Sequence, residues 1–264
     1  MENIHTTYVL ITGATSGIGL ELAKVFAKGG ENLIIISRKA EDLERVSQEI
    51  QKAYSVKVIS MQADLSVPAA VQKVYEQCQV QNLQVSTLVN NAGFGSYGIF
   101  SDIDMQRQLS MVDLNIRAVT QLTKLFLEQM LLRGSGNILN VASTAAFQPG
   151  PLMSVYYASK AYVLSFSESL HNELREKNIF VTCLCPGPTR TNFQNLEKGF
   201  SDTRIFSSGS VMDAVTVAKA GYEGLQKNKA VVIPGFLNKL LVFLTRFGPR
   251  QLVTAISRWV LEKN

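Results

Sequence analysis

The segment Thr12-Gly13-Ala14-Thr15-Ser16-Gly17-Ile18-Gly19 decides the fold, because it joins an apolar strand pattern to the start of an amphipathic helix pattern. Glycines at such a turn let the chain bend tightly and let backbone N–H groups approach a pyrophosphate, while the helix N-terminus favours negative charge. Glycine is also the default residue of any tight turn. Its position between a strand and a helix favours a dinucleotide site.

Around this turn, short apolar runs alternate with stretches of helical period, which is typical of a parallel sheet with helices on both faces. Strands are predicted near Tyr8–Thr12, Asn32–Ile36, Val56–Met61, Thr87–Asn90, Asn137–Val141, Ile179–Cys183 and Ala230–Ile233. Helices are predicted near 18–28, 40–53, 67–80, 102–132, 154–177 and 210–226. The predicted fold class is α/β, a Rossmann-type doubly wound parallel sheet of about seven strands.

No repeat or linker divides the chain, so residues 1–235 are predicted to form one domain and 236–264 a short helical extension of it. The longest stretch without a clear pattern, Pro186 to Gly209, is polar but contains Phe193, Phe200 and Phe206. A loop of that length in a compact domain is usually functional or mobile. We predict that it is a lid over the ligand cleft.

The composition argues against several classes of protein. Three cysteines in 264 residues do not make a disulfide framework or a zinc site, and the simplest interpretation is buried thiols in a cytoplasmic protein. The N-terminus has no secretory signal pattern. The two histidines, His5 and His171, indicate neither a Ser-His-Asp triad nor a metal site.

The end of the second predicted strand indicates which dinucleotide the protein prefers. An NAD-binding fold places an acid there for the ribose 2′-hydroxyl, but this chain has Ser37-Arg38-Lys39. A guanidinium can bind a 2′-phosphate with two hydrogen bonds, so NADP(H) is favoured over NAD(H). Surface cations after a strand are the alternative. Asp64 and Asn91 follow the third and fourth strands at the same sheet edge, where Asn91 could equally be a turn residue.

The candidate chemistry lies at Tyr156 and Lys160, which share a face of a predicted helix. A chance Tyr-x-x-x-Lys is common, but here it occurs once. A free phenol ionises near pH 10, and a neighbouring cation lowers its pKa toward neutrality. Ser143 follows the fifth strand and could hold a substrate oxygen, although a cap or turn role is the simpler interpretation. Asn115, inside a predicted helix, suits a polar role or a structural hydrogen bond.

In order and spacing these motifs resemble the short-chain dehydrogenase/reductase family over roughly residues 6 to 233. The resemblance rests on Thr12-Gly13-x-x-x-Gly17-x-Gly19, Asn90-Asn91-Ala92-Gly93, Asn115, Ser143, Tyr156-x-x-x-Lys160 and Pro186-Gly187-Pro188-Thr189. It implies a single domain that binds NAD(P) and transfers a hydride between it and a carbonyl or alcohol carbon. Within the family, Val231 to Gly235 and the basic, apolar segment that follows look like the DltE-like or YqjQ-like bacterial reductases.

The resemblance also implies roles for particular residues. Tyr156 would be the general acid/base, Ser143 would orient the substrate, and Lys160 would bind the ribose and tune the phenol. Asn115 would hold a water in the proton relay, and Thr189 would lie near the nicotinamide carboxamide. The predicted cofactor contacts are Gly13, Ser16, Gly17, Ile18, Gly19, Arg38, Asp64, Asn91, Tyr156, Lys160 and Thr189.

The predicted substrate is a fairly hydrophobic carbonyl or alcohol compound. Besides Ser143 and Tyr156, the residues expected to contact it are Phe94, Phe147, Phe193 and Phe206. The alternative function is an NADP(H) sensor or scaffold whose catalysis is vestigial. A homo-oligomer is expected, with no metal ion.

The formal net charge of +5 is concentrated after residue 226, where seven Lys or Arg residues face one Glu. These cations are interleaved with Leu, Val and Phe, which argues against nucleic acid as a partner. Phe236 to Phe247 and Leu252 to Leu261 are predicted as two short helices, and neither can span a bilayer.

In the second of these helices one face is apolar, namely Leu252, Val253, Ala255, Ile256, Trp259 and Val260. The opposite face has Arg250, Thr254, Ser257 and Arg258. The segment is expected to pack over the substrate cleft or at a subunit interface. A basic amphipathic helix with Trp on its apolar side is also typical of peripheral membrane contact, which is the second hypothesis.

Overall fold

The structure is a computed structural model, and it describes residues 6–191, 193, 200–207 and 211–263. The strands in these ranges are β1 Thr7–Thr12, β2 Asn32–Ser37, β3 Val58–Gln62, β4 Gln84–Asn90, β5 Gly136–Val141, β6 Ile179–Leu184, β7 Thr189–Arg190, β8 Met212–Asp213 and β9 Val231–Val232. The α-helices are α1 Gly17–Lys28, α2 Ala40–Tyr54, α3 Pro68–Val80, α4 Met105–Val112, α5 Val119–Arg133, α6 Ser154–Leu174, α7 Arg204–Ser207, α8 Ala214–Gln226, α9 Phe236–Leu244 and α10 Arg250–Leu261.

A sheet of seven parallel strands forms the centre of the molecule, in the order β3-β2-β1-β4-β5-β6-β9. The predicted α/β fold class is confirmed. The short strands β7 and β8 pair with each other in a separate sheet. The chain order reverses between β1 and β4, and ligands of such sheets bind beyond the carboxyl ends of the strands at that point.

Each face of the sheet carries its own buried core. Successive residues of a strand point to opposite faces. Leu10 of β1 therefore lies in one apolar cluster with Phe126 of α5. Ile11, the next residue, lies in the other cluster with Phe26 of α1. Because both faces are covered, β1 and β2 are continuous apolar runs.

The predicted helix 102–132 is the largest correction. Phe100–Asp102 form a 3-10 turn, and α4 begins at Met105 because the Asp104 carboxylate accepts a hydrogen bond from the Arg107 N–H. A π-helical segment, Asp113–Ala118, then separates α4 from α5. Such segments occur mostly as single turns inside α-helices, and often at functional sites.

The two C-terminal helices are confirmed, with a break at Gly248-Pro249. In α10, four residues of the predicted apolar face, Leu252, Val253, Ile256 and Val260, line a cleft at the sheet edge, as expected. Ser257, predicted on the polar side, is only 8% exposed and is hydrogen-bonded to the buried Tyr157 hydroxyl, whereas Trp259 is 58% exposed. A buried hydroxyl needs a partner, and Ser257 supplies it.

The turn from β1 to α1 has no room for a side chain at Gly19. A Cβ there would collide with the Gly13 carbonyl oxygen and with Asn91 Nδ2. Asn91 Nδ2 donates to the carbonyl oxygens of Thr12 at 2.9 Å and Gly13 at 3.2 Å. In return, Thr12 Oγ1 accepts the Asn91 N–H at 3.0 Å. These contacts join the carboxyl ends of β1 and β4.

We expect Gly19→Ala to lower the free energy of unfolding by about 1–3 kcal/mol, because the added methyl group overpacks this contact. The matched control is Ser16→Ala, since the exposed Ser16 side chain makes no capping hydrogen bond. Its effect should stay within about 0.5 kcal/mol. Urea unfolding of the three proteins measures both values, and equal stabilities would contradict the close approach.

Candidate functional site

A cleft of about 1310 Å³ opens beyond the carboxyl ends of β1, β2, β4, β5 and β6. It brings together most of the residues that the sequence predicts for the site. Those that line it are Gly13, Ser16, Gly17, Ile18, Gly19, Arg38, Asp64, Asn91, Phe94, Ser143, Tyr156, Lys160, Thr189, Phe193 and Phe206. Asn115 and Phe147 do not line it.

The glycine-rich turn supplies free backbone donors to the cleft. Gly13 and Gly17 have φ values of 66° and 53°, in the left-handed region that glycine adopts without strain. The N-cap of α1, Ser16, makes no side-chain capping hydrogen bond, so it leaves the N–H groups of the first helical turn open. This arrangement fits the pyrophosphate of a dinucleotide.

Three cations surround the end of β2, where the sequence predicts the 2′-phosphate contact. Arg38, Lys39 and Arg45 all line the cleft. The Arg38 guanidinium forms no ion pair within the described ranges, whereas Arg45 lies 3.6 Å from Asp42. Arg45 was missed by the sequence analysis. Arg45 follows Arg38 by seven residues and lies near the start of the predicted helix 40–53, and this spacing could have indicated it.

Two hydroxyls lie beside these cations. Thr15 Oγ1 and Ser37 Oγ are 2.9 Å apart, and both residues line the cleft. Asp64 lies exposed on the far side, where its carboxylate accepts hydrogen bonds from the Ser66 N–H and hydroxyl. Thr189 Oγ1 donates to the Gly187 carbonyl oxygen at 2.9 Å, which fixes its rotamer at the start of β7.

Ser143 meets Tyr156 at the end of β5. The Ser143 hydroxyl accepts the Ala145 N–H at 3.1 Å, so its cap role and its site role coexist. Burial raises the pKa of the Tyr156 phenol, and the hydrogen bond with Ser143 partly opposes that rise. The prediction of a lowered phenol pKa is therefore wrong for the protein by itself. At neutral pH this phenol is a protonated donor.

Lys160 lies below the phenol in the floor of the cleft. Its Nζ donates to the Val141 carbonyl oxygen at 2.9 Å and lies 5.7 Å from the centre of the Tyr156 ring. Burial lowers the pKa of Lys160 from 10.5 to about 8, and the neighbouring thiols of Cys183 and Cys185 oppose that change. The ammonium therefore loses its proton much more readily than an exposed lysine.

Asn115 supports the site from behind. It is buried in the π-helical segment, where its Oδ1 accepts the Phe94 N–H and its Nδ2 donates to the Phe94 carbonyl oxygen and to Ser159 Oγ. A Cβ on Gly93 would touch both Asn115 Oδ1 and Lys160 Nζ. Asn115 thus holds the segment after β4 against α6, so the structural hydrogen bond that the sequence left open is present.

Phe147 is a correction to the predicted substrate contacts. The 3-10 turn Thr144–Phe147 directs Ala145 into the cleft, while Phe147 packs on the other side against the cluster that contains Ala142 and Val163. There it lines a small separate cavity of about 260 Å³.

The wall beyond Tyr156 is aromatic and apolar. The Phe193 ring lies 5.3 Å from the Tyr156 ring, and Phe200 contacts both Phe193 and Phe206. These three phenylalanines belong to the predicted lid, of which 192, 194–199 and 208–209 lie outside the described residues. The apolar lining also includes Met153, Leu237, Leu241 and Leu244, none of which the sequence indicates individually. Leu252 and Ile256 line it as well, and they belong to the C-terminal face that is expected over the cleft.

A family model described as short chain dehydrogenase matches residues 7–199. The chain belongs to the short-chain dehydrogenase family. A very-long-chain 3-oxoacyl-CoA reductase of Anas platyrhynchos is 36% identical over 198 residues, which cover 72% of this chain and 62% of that protein. The chain thus spans about three fifths of the length of the curated relatives it matches.

Solved structures of the family share the fold. A short-chain dehydrogenase from Sphingobium yanoikuyae in complex with NADPH superposes with a TM-score of 0.80 and 29% identity, covering 92% of this chain and 96% of that one. A bulky-bulky ketone specific alcohol dehydrogenase from Comamonas testosteroni gives 0.77 and 29%, covering 92% of each chain. Within the described residues, every helix is shorter or more polar than a bilayer-spanning helix would have to be.

The lowered pKa of Lys160 makes a pH-dependent prediction. Between about pH 8 and 10.5 the unfolded chain binds a proton at Lys160 that the folded protein has released, so this residue makes stability rise with pH. Relative to Lys160→Met, wild type should gain about 3 kcal/mol of unfolding free energy across that range. Chemical denaturation of both proteins at several pH values measures the difference, which a solvated Lys160 would leave constant.

Proposed function

We propose that this family member reduces the carbonyl group of a hydrophobic small molecule, with NADPH as the hydride donor and Tyr156 as the proton donor. The observation that carries the proposal is the convergence of Ser143, Tyr156 and Lys160 on the same cleft as the glycine-rich turn. Nucleotide and substrate chemistry would thus take place in one continuous space.

The residues around β2 support NADPH as the cofactor. The turn with Gly13 and Gly17 would hold the pyrophosphate, and the Arg38 guanidinium would bind the 2′-phosphate. Thr15 and Ser37 offer two hydroxyls beside it. No carboxylate ends β2 to repel that phosphate. The Sphingobium yanoikuyae relative was solved with NADPH.

When bound, a reduced nicotinamide would supply the hydride for the carbonyl carbon. The Ser143 hydroxyl, which donates to the Pro186 carbonyl oxygen in the unliganded protein, and the neighbouring Tyr156 phenol would both donate to the substrate's carbonyl oxygen. As the new C–H bond forms, the carbonyl oxygen would take the phenol proton and become the hydroxyl group of the product alcohol. Lys160 lies near enough to stabilise the resulting phenolate, and its pKa of about 8 suits it to return a proton near neutral pH.

Carbonyl reduction would use Tyr156 as a phenol, and the reverse reaction would use it as a phenolate. Burial raises the pKa of the phenol, so the unliganded protein holds the proton donor. The direction in a cell would follow the supply of reduced and oxidised cofactor.

The aromatic and aliphatic walls favour a hydrophobic substrate. Phe94, Phe193, Phe200 and Phe206 line the cleft near Tyr156. The comparisons include a reductase named for very-long-chain 3-oxoacyl-CoA and a dehydrogenase named for bulky ketones. We therefore propose a ketone with a large apolar substituent.

The sensor alternative is not favoured, because Asn115, Ser143, Tyr156 and Lys160 all keep the side chains that the family uses. The DltE-like or YqjQ-like subgroup, the homo-oligomer, the cytoplasmic location and the division at residue 235 stay predictions.

Replacing Tyr156 by Phe should lower kcat for ketone reduction by about 100- to 10,000-fold, the usual contribution of a general acid. The dissociation constant for NADPH should change little, because the change removes one hydroxyl. The control is Tyr162→Phe, whose hydroxyl contacts Thr120 outside the cleft. NADPH absorbance with a panel of aromatic and long-chain ketones measures the rate, and full activity in Tyr156→Phe would refute the proton-donor role.

Replacing Arg38 by Asp should shift the ratio of the NADPH and NADH dissociation constants toward NADH by on the order of 100-fold. The change removes a charge-assisted hydrogen bond and adds repulsion. The control is Lys52→Asp, at the exposed far end of α2. Fluorescence titration with both nucleotides measures the ratio, and an unchanged ratio would mean that Arg38 does not contact the 2′-phosphate.

A further inference from the structure

The C-terminal helices expose several large apolar side chains. We call this set the outer face, and its members are Phe236, Leu240, Phe243, Phe247 and Trp259. The first four are spaced four, three and four residues apart, so they lie along one side of the chain that includes α9. Phe243 and Phe247 contact each other, with ring centres 5.0 Å apart. None of the five lines the cleft.

Both helices pack inward through one polar and one apolar residue and leave large rings exposed. The buried residues are Asn238 and Val242 of α9 and Ser257 and Leu261 of α10. Asn238 donates to the Pro234 carbonyl oxygen, and Ser257 lies beside the Tyr157 hydroxyl. The Phe and Trp rings stay outside this packing, and a group of exposed apolar side chains of this size marks an interaction surface.

Cations flank the outer face. Residues 236–264 contain five Lys or Arg and one Glu, a net charge of +4. The Glu, Glu262, already pairs with Arg204 and Arg258. Lys239, Arg246 and Arg250 are exposed and form no ion pair with any residue that the structure describes. The segment therefore offers apolar rings and unneutralised positive charge together.

The adjoining side of the same two helices forms the apolar wall of the cleft. Leu241 and Leu244 of α9 and Leu252 and Ile256 of α10 line it. These side chains are also partly exposed, so they form the rim of the opening. Trp259 follows Leu252 by seven residues and so lies on the same side of α10. The outer face and the cleft entrance thus adjoin each other on one pair of helices.

We propose that the outer face docks the protein on an anionic lipid surface, with the rings in the interface and Lys239, Arg246 and Arg250 against the headgroups. Interfacial helices combine these features. A second copy of the chain fits less well, because a two-fold contact would bring one segment of net charge +4 against another.

One consequence rests on the proposed function. A substrate dissolved in the bilayer would enter between Leu241, Leu244, Leu252 and Ile256 without crossing water. The cleft of a docked protein opens where such a substrate is concentrated.

Trp259 is the only tryptophan of the sequence, so the intrinsic emission of the full-length protein reports on the outer face. We expect a blue shift when vesicles of equal parts phosphatidylcholine and phosphatidylglycerol are added. Brominated lipid should quench the emission. Vesicles of phosphatidylcholine alone should bind more weakly, because each basic residue near an anionic surface contributes attraction.

Two variants separate the apolar and the charged contributions in co-sedimentation. Phe243→Glu with Phe247→Glu should abolish vesicle binding. Arg246→Gln with Arg250→Gln should weaken it about 30-fold. Val80→Glu is the control, since Val80 is 83% exposed at the end of α3, away from the tail, and this change should leave binding unaltered.

Light scattering tests the second copy as occupant. If Trp259 emission is insensitive to anionic vesicles, or if the protein forms a dimer that Phe243→Glu with Phe247→Glu dissociates while vesicles do not bind, the proposal is overturned.

Activity distinguishes this proposal from the proposed function. The double Glu variant should reduce a water-soluble ketone at the wild-type rate but lose reduction of a ketone held in vesicles. If the wild-type protein reduces neither the water-soluble nor the vesicle-held ketone, the proposed function is refuted, whereas the lipid-binding result is unaffected. If wild type and the double Glu variant reduce the vesicle-held ketone at equal rates, delivery of the substrate from the bilayer is refuted.

Discussion

The contact between the first helix and the end of the fourth strand is the constraint on which the site depends. Gly19 lets α1 approach the Gly13 carbonyl oxygen and the Asn91 amide, and Asn91 in turn is bonded to Thr12. This contact brings the amino end of a helix, with open N–H groups, to the sheet edge where β4 and β5 deliver Asn91 and Ser143. The nucleotide side and the chemical side of the cleft therefore share one rigid border.

Burial, more than ion pairing, determines the pKa values of Tyr156 and Lys160. Burial keeps the Tyr156 phenol protonated and makes the Lys160 ammonium easier to deprotonate, so the two pKa values, which are ordinarily close, move apart. Asn115 and the Val141 carbonyl oxygen hold the surrounding backbone and Lys160 in place. In the proposed reaction this arrangement would let Tyr156 donate a proton to the developing alkoxide.

The sequence predicted most of the fold because a buried parallel sheet leaves a strong signal, namely apolar runs such as β1 and β2 separated by helical periods. It predicted most of the site because backbone turns and strand ends determine where Gly13, Asn91 and Ser143 lie. It failed where packing overrides local pattern. The Asp104 cap and the π-helical segment divide a helix that looks continuous, and Phe147 turns away from the cleft although it is two residues from Ala145, which lines it.

The C-terminal segment shows the same limit. Its amphipathic period was visible, but the period does not say which face packs inward, and the buried Tyr157 hydroxyl selects Ser257 rather than Trp259. The Arg45 and Leu241 contributions to the cleft also depend on how α2 and α9 are placed in three dimensions. Tertiary contacts between distant parts of the chain determine these placements, and a short stretch of sequence does not reveal them.

The proposed function requires that a hydride pass from NADPH to a carbonyl carbon in this cleft. NADPH deuterated at both C4 positions of the nicotinamide, a ketone with a large apolar substituent, and mass spectrometry of the alcohol test this transfer. We expect one deuterium on the carbinol carbon. An alcohol whose carbinol hydrogen comes from solvent would refute the transfer, as would unchanged ketone in the presence of bound NADPH across the substrate panel.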